Sequence, residues 1–141
     1  MATKKSKTPG MVTGYIKLWP REALQLIGDQ HKTKLLVNEL ELLREPGVYV
    51  LYRDDQPYYV GKATRTLFKR LHDHSNKATD TYYRFWNRFS AFVIPNPAHI
   101  GPLEGILINA MPTANGATPR MAQIRLPKEI AKRLRAAHVQ V

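Results

Sequence analysis

Two tyrosines stand in a pair of glycine triplets, Tyr49 in Gly47-Val48-Tyr49 and Tyr59 in Tyr59-Val60-Gly61, and Lys62 follows the second directly. Farther on come Arg70 with His74 four residues later, then Glu104, then Asn115 closing Pro112-Thr113-Ala114-Asn115. These side-chain types suit work on phosphate. A guanidinium presents a planar donor fork that matches phosphate oxygens two at a time, and Arg70 and His74 share one helix face at i and i+4. A single carboxylate such as Glu104 suits a hard divalent ion that keeps most of its waters and binds phosphate oxygen. A phenol titrates near 10 and is a poor base unless neighbouring cations lower that value. Lys62 and Arg70 are the cations at hand.

A phosphodiester is anionic and repels a nucleophile, and in-line displacement loads further charge onto its oxygens. A site for this reaction must activate water and stabilise that charge. Taken in order, the residues resemble the GIY-YIG nuclease family in a GVY…YVG form, a family that includes homing endonucleases, restriction enzymes and the excision-repair nuclease module. Gly61-Lys62-Ala63 resembles the family's lysine-bearing turn. Arg70 and His74 resemble the arginine and the His or Tyr of its first helix, Glu104 its metal-binding glutamate, and Pro112 to Asn115 its closing Pro-x-x-Asn. The resemblance covers residues 46–116, with both central isoleucines replaced by valine.

The resemblance implies an endonuclease that hydrolyses DNA phosphodiesters with one Mg²⁺ or Mn²⁺. Tyr49 is then the general base, Arg70 stabilises charge, Glu104 holds the metal, and Tyr59, Lys62, His74 and Asn115 assist. The loop between Lys62 and Arg70 is slightly longer than usual, which leaves Arg65 as a rival for the arginine role; His74 four residues on favours Arg70. Arg65, Lys69, Arg84 and Arg88 are further candidates for contact with nucleic acid. The implied fold is α+β, a small antiparallel sheet of about three strands flanked by helices.

Other constellations read more plainly. His72 and His74 form a His-x-His pair, but on a helix that spacing turns the rings to different faces, which rejects zinc. Asp54-Asp55 is turn chemistry first. Glu104 near a helix start gains from the helix dipole without any metal. Gly14-Tyr15-Ile16 mimics the first triplet with no partner strand expected behind it. Tyr52 and Tyr58 read as ordinary strand aromatics. Trp86, with Tyr82, Tyr83 and Phe85, can stack on unpaired bases, but core packing is the plainer reading.

The elements that must position these residues follow from pattern. Val48 to Tyr52 is β-branched and aromatic, Asp54 to Pro57 is a turn, and Tyr58 to Val60 returns, so a β-hairpin is expected. Leu67, Phe68 and Leu71 have helical spacing through about His74. Phe89 to Ile94 reads as a third strand, stopped by Pro95 and Pro97. A helix is expected from about Pro102 to Ala110, ended by Pro112, and a last basic amphipathic helix over Pro127 to Ala137. Residues 1–45 read as a loose basic arm and an N-terminal helical accessory. That accessory holds a short helix from about Arg21 to Gly28, begun by Pro20, and a second on Leu36, Leu40 and Leu43. Residues 46–116 form the nuclease-like core, and 117–141 a C-terminal helix packed on it.

The 141 residues suffice for one domain with a real core. At 43% hydrophobic and 23% charged the chain is in the ordinary globular range. The absence of cysteine removes disulfides, thiolate zinc sites and cysteine nucleophiles. No apolar run approaches a membrane span, and no signal core follows the basic start, so a soluble cytoplasmic protein is expected. Lysine and arginine number 22 against 11 acids, a net charge of +11, which attracts polyanions over long range. DNA is the favoured partner. The alternatives are a non-catalytic nucleic-acid-binding module or an adaptor of the same fold.

Overall fold

The computed structural model describes residues 10–24, 41–76, 85–112 and 122–141. Four strands lie within them, β1 (Gly14–Pro20), β2 (Gly47–Arg53), β3 (Gln56–Ala63) and β4 (Arg88–Val93). They form one antiparallel sheet in the order β1-β4-β2-β3. The helices are α1 (Leu67–Asn76), α2 (Pro97–Ala110) and α3 (Lys128–Ala136). The architecture is the α+β one expected, with a four-stranded sheet in place of about three.

The additional strand is β1, in the stretch read as a helical accessory. Gly14-Tyr15-Ile16 does have a partner: it pairs with β4 through Gly14–Val93, Tyr15–Phe92 and Ile16–Ala91. Period-two alternation buries Ile16 and exposes Tyr15 and Lys17. Pro20 ends this strand instead of opening a helix, which an edge position tolerates because no ladder bond needs its missing N–H. Leu18 sits at φ 52 where the register shifts, and its N–H bonds Ser90 Oγ at 3.0 Å. Of the expected Arg21–Gly28 helix the described residues reach only to Leu24: Arg21 and Glu22 form a turn, and Ala23 and Leu24 are helical. Leu36 and Leu40 fall outside, while Leu43 is buried in a 3₁₀ turn over Glu41–Arg44.

The two sheet faces carry separate cores. One gathers Tyr49, Leu51, Ala63, Leu67, Leu71, Trp86 and Phe89, and is covered by α1. The other gathers Val48, Val50, Val60, Ile94 and Ile100, with Leu103 and Leu107 of α2 packed on it. Gly47 is required by this packing, because a Cβ there would come within 1.9 Å of the Phe92 carbonyl oxygen on β4. A cavity of about 170 Å³ under α2 is lined by apolar side chains such as Val48, Phe92 and Leu107. It is on the face away from Tyr49 and offers no group for chemistry.

α2 begins at Pro97, a full turn before the expected Pro102. Asn96 caps it, its side chain accepting from the Ala98 N–H at 3.0 Å, and Pro97 supplies a φ suited to a first turn. Pro102 therefore lies inside the helix, and Glu104 is about two turns in, too deep for the dipole at the N-terminus to explain it. α3 has the expected basic character, but Ala131 is its only buried residue and Ile130 is 48% exposed. The apolar side that was expected to pack on the core is largely uncovered among the described residues.

Candidate active site

Tyr49 lies on β2 with its ring buried and crossing over Gly61, its register partner on β3. A Cβ at Gly61 would fall 2.3 Å from both Cζ and the hydroxyl oxygen of Tyr49. The second signature glycine thus makes a seat for the first signature tyrosine. From this seat the Tyr49 hydroxyl meets His74 Nε2 at 2.7 Å, in surroundings closed to solvent. Tyr59 completes the cluster, its ring centroid 6.4 Å from that of Tyr49 and 5.8 Å from that of His74. Tyr49, Tyr59 and His74 are therefore brought together by two strands and one helix.

α1 delivers His74 because Leu67, Leu71 and His74 share its buried stripe. Its first turn is fixed by Thr66 Oγ1, which accepts from the Lys69 N–H at 3.3 Å, and by the Leu67 N–H donating to the Glu45 carbonyl. Its far end is held from outside the expected core. Arg21 donates to the Ser75 carbonyl at 2.9 Å and to the Trp86 carbonyl at 3.2 Å, with its guanidinium 5.0 Å from the Trp86 ring centroid. The Trp86 indole N–H donates to the His74 carbonyl at 3.4 Å. Trp86 is accordingly core, with 1% of its surface exposed. Nothing in the sequence marked Arg21, since its partners are backbone carbonyls far along the chain.

His72 turns away from His74 and stacks against Phe68, centroids 5.1 Å apart. Among the described residues no three His, Cys, Asp or Glu side chains gather as a metal cluster. Arg70 is exposed one turn before His74, beside the buried stripe of α1, and Arg65 is exposed just ahead of the helix. Lys69 is exposed as well. Arg88 is exposed and donates to the Leu18 carbonyl at 3.0 Å, which ties it to β1. Arg84 and Asn115 lie outside the described residues.

Glu104 lies on α2, which packs on the other face of the sheet from Tyr49. Glu104 is half-buried, and burial pushes its carboxyl above the ordinary carboxylate range, an effect that the nearby Lys62 charge partly offsets. Lys62 follows Gly61 on β3, and β3 is an edge strand. Gly61 under the Tyr49 ring and Lys62 near the Glu104 carboxylate are thus adjacent residues of an edge that, among the described residues, no further strand covers.

The family model for the GIY-YIG catalytic domain matches residues 45–109. Among solved structures, the chain is similar to the GIY-YIG N-terminal endonuclease domain of UvrC from Thermotoga maritima bound to magnesium, its catalytic divalent cation. The identity is 31%, the match covers 51% of this chain and 86% of that one, and the TM-score is 0.43. Two point mutants of that domain, also with the divalent cation, match at 31% and 29% identity with the same coverage and TM-score. No curated protein matches.

Proposed function

Because the chain belongs to the GIY-YIG family, we propose that it is a divalent-metal-dependent endonuclease that hydrolyses phosphodiester bonds in DNA. The observation that carries this reading is the 2.7 Å contact between the Tyr49 hydroxyl and His74 Nε2. It gives the buried phenol a partner that satisfies its hydroxyl and can also accept its proton.

In the proposed reaction a water molecule attacks phosphorus. As the new P–O bond forms, the Tyr49 oxygen takes a proton from that water, and the phenol's own proton passes to His74 Nε2. The tautomer required carries its hydrogen on Nδ1. The opposite P–O bond breaks, and the leaving oxygen departs with a proton from solvent. Arg70 grips non-bridging oxygens with its fork, Lys62 adds charge at the edge of β3, Tyr59 orients the water, and Asn115 supports the site by hydrogen bonding.

Glu104 would hold the metal. Its surroundings fit a hard cation: a carboxylate already stripped of part of its solvation, with one lysine partly compensating it, gains from a divalent ion nearby. One acidic ligand also matches Mg²⁺, which binds through one or two carboxylates and keeps several waters. When bound, the ion neutralises charge on the scissile phosphate.

The test is cleavage of labelled DNA with Mn²⁺ or Mg²⁺, with and without EDTA. Glu104→Ala and Arg70→Ala are each expected to lower the rate by about 10²–10³. Near-normal activity in both variants would sink the assignment. Salt-sensitive binding without EDTA-sensitive products would leave a binding module.

A further inference from the structure

β3 is not a regular edge strand. Leu51 pairs with Tyr59 and Tyr52 with Pro57, so the register between β2 and β3 shifts by one residue at Tyr58, a β-bulge. A bulge of this kind re-aims a side chain, and such bulges are frequent beside active sites. The re-aimed Tyr58 ring meets Phe85, with centroids 5.9 Å apart and planes tilted by 36°. Phe85 keeps 56% of its surface exposed, while its neighbour Trp86 is sunk in the core.

Both ends of this aromatic pair are anchored to the site. Tyr58 precedes Tyr59 in the chain, and Phe85 precedes Trp86, whose indole bonds the carbonyl of His74. The segment around them is stiff. Asn87 Oδ1 accepts from the Asp54 N–H at 2.7 Å, Asn87 Nδ2 donates to the Asp54 side chain at 2.9 Å, and the Asn87 N–H donates to the Tyr52 carbonyl at 2.9 Å. Arg53 and Arg88, both exposed, flank the same end of the sheet. One exposed phenylalanine is ordinary on a protein surface. An exposed ring stacked on a bulge-displayed tyrosine, in a rigid and basic setting next to the site, is what single-stranded nucleic acid needs: a π-face for the base and cations for the backbone.

We propose that Tyr58 and Phe85 form a stacking platform for an unpaired base beside the cut, so that the favoured substrate is DNA with a single-stranded branch or an unpaired nucleotide next to the scissile bond. This rests on the nuclease reading above and adds the substrate class.

The test uses the full chain in EDTA, so that binding is read without turnover. Two DNAs of equal length are compared, a flush duplex and a fork carrying 2-aminopurine at its first unpaired position. Binding is expected to quench the fluorescence of the fork and to be tighter for it by about tenfold or more. Phe85→Ala, at an exposed position that does not threaten folding, should pull the fork-to-duplex affinity ratio down by about 5- to 100-fold. Phe85→Trp should preserve the ratio. Equal affinities in the parent protein, or an unchanged ratio in Phe85→Ala, would overturn the platform. If the fork preference is absent but EDTA-sensitive cleavage persists, the platform alone falls; if no DNA is bound at all, the nuclease reading falls with it.

Discussion

The Tyr49 ring occupies the space that a side chain at Gly61 would need, with the Cβ position only 2.3 Å from its hydroxyl oxygen. A glycine in the interior of a strand weakens it by leaving nothing to pack. Here the cost is offset by the placement of a phenol against His74. Gly61→Ala must push the ring off its seat or the two strands apart, so a destabilisation of about 1–3 kcal/mol is expected by chemical denaturation. Displacing a reacting group by about 1 Å can cost about 10² in rate. Cleavage by folded Gly61→Ala should therefore fall at least that far below the parent. A variant that kept parental turnover would show that the seat is packing alone.

Arg21 acts at a distance from the chemistry. Its guanidinium fastens the end of α1 at Ser75 and rests on Trp86, so it sets where His74 stands. Arg21→Ala removes charge-assisted hydrogen bonds of the kind worth about 1.5–3 kcal/mol, discounted here for partial exposure. The expected kinetic signature is a lower kcat with KM for DNA nearly unchanged, because phosphate binding does not run through this residue. A rise in KM with kcat intact would place Arg21 in DNA binding instead.

The sheet centre and the signature cluster were legible in the sequence because their signals are local. β2 and β3 are rich in β-branched and aromatic residues and turn within a few residues, and α1 shows its stripe at Leu67, Leu71 and His74. β1 was not legible. Its seven residues hold one buried aliphatic, Ile16, and its pairing lies with β4, far along the chain, so alternation was weak and the partner invisible. The start of α2 was misplaced because Pro102 mimics a first-turn proline, while the true start rests on the Asn96-Pro97 pair. At the site, Gly61 was read as a motif letter and only the geometry supplies its reason. Tyr58 read as an ordinary strand residue because a bulge is a property of register, which one strand's sequence does not carry.

Glu104 yields a prediction that separates the protein from its metal. Burial raises the Glu104 carboxyl above its unfolded value despite Lys62. In the unfolded chain it ionises at the ordinary carboxylate position, about 4.3. Between that point and the raised folded value the folded state binds more protons, so stability falls as pH rises through the window. The cost is fully present above the folded value and absent below the unfolded one. In EDTA, Glu104→Gln should thus be more stable than the parent at neutral pH, with the difference closing as the pH is lowered toward 4. Adding Mn²⁺ at neutral pH should raise the melting temperature of the parent, since a ligand that binds only the folded state stabilises it by mass action, and should leave Glu104→Gln unmoved. Equal responses of the two proteins to Mn²⁺ would remove Glu104 as the metal's ligand, and a pH-independent difference between them would show that its carboxyl carries no burial cost.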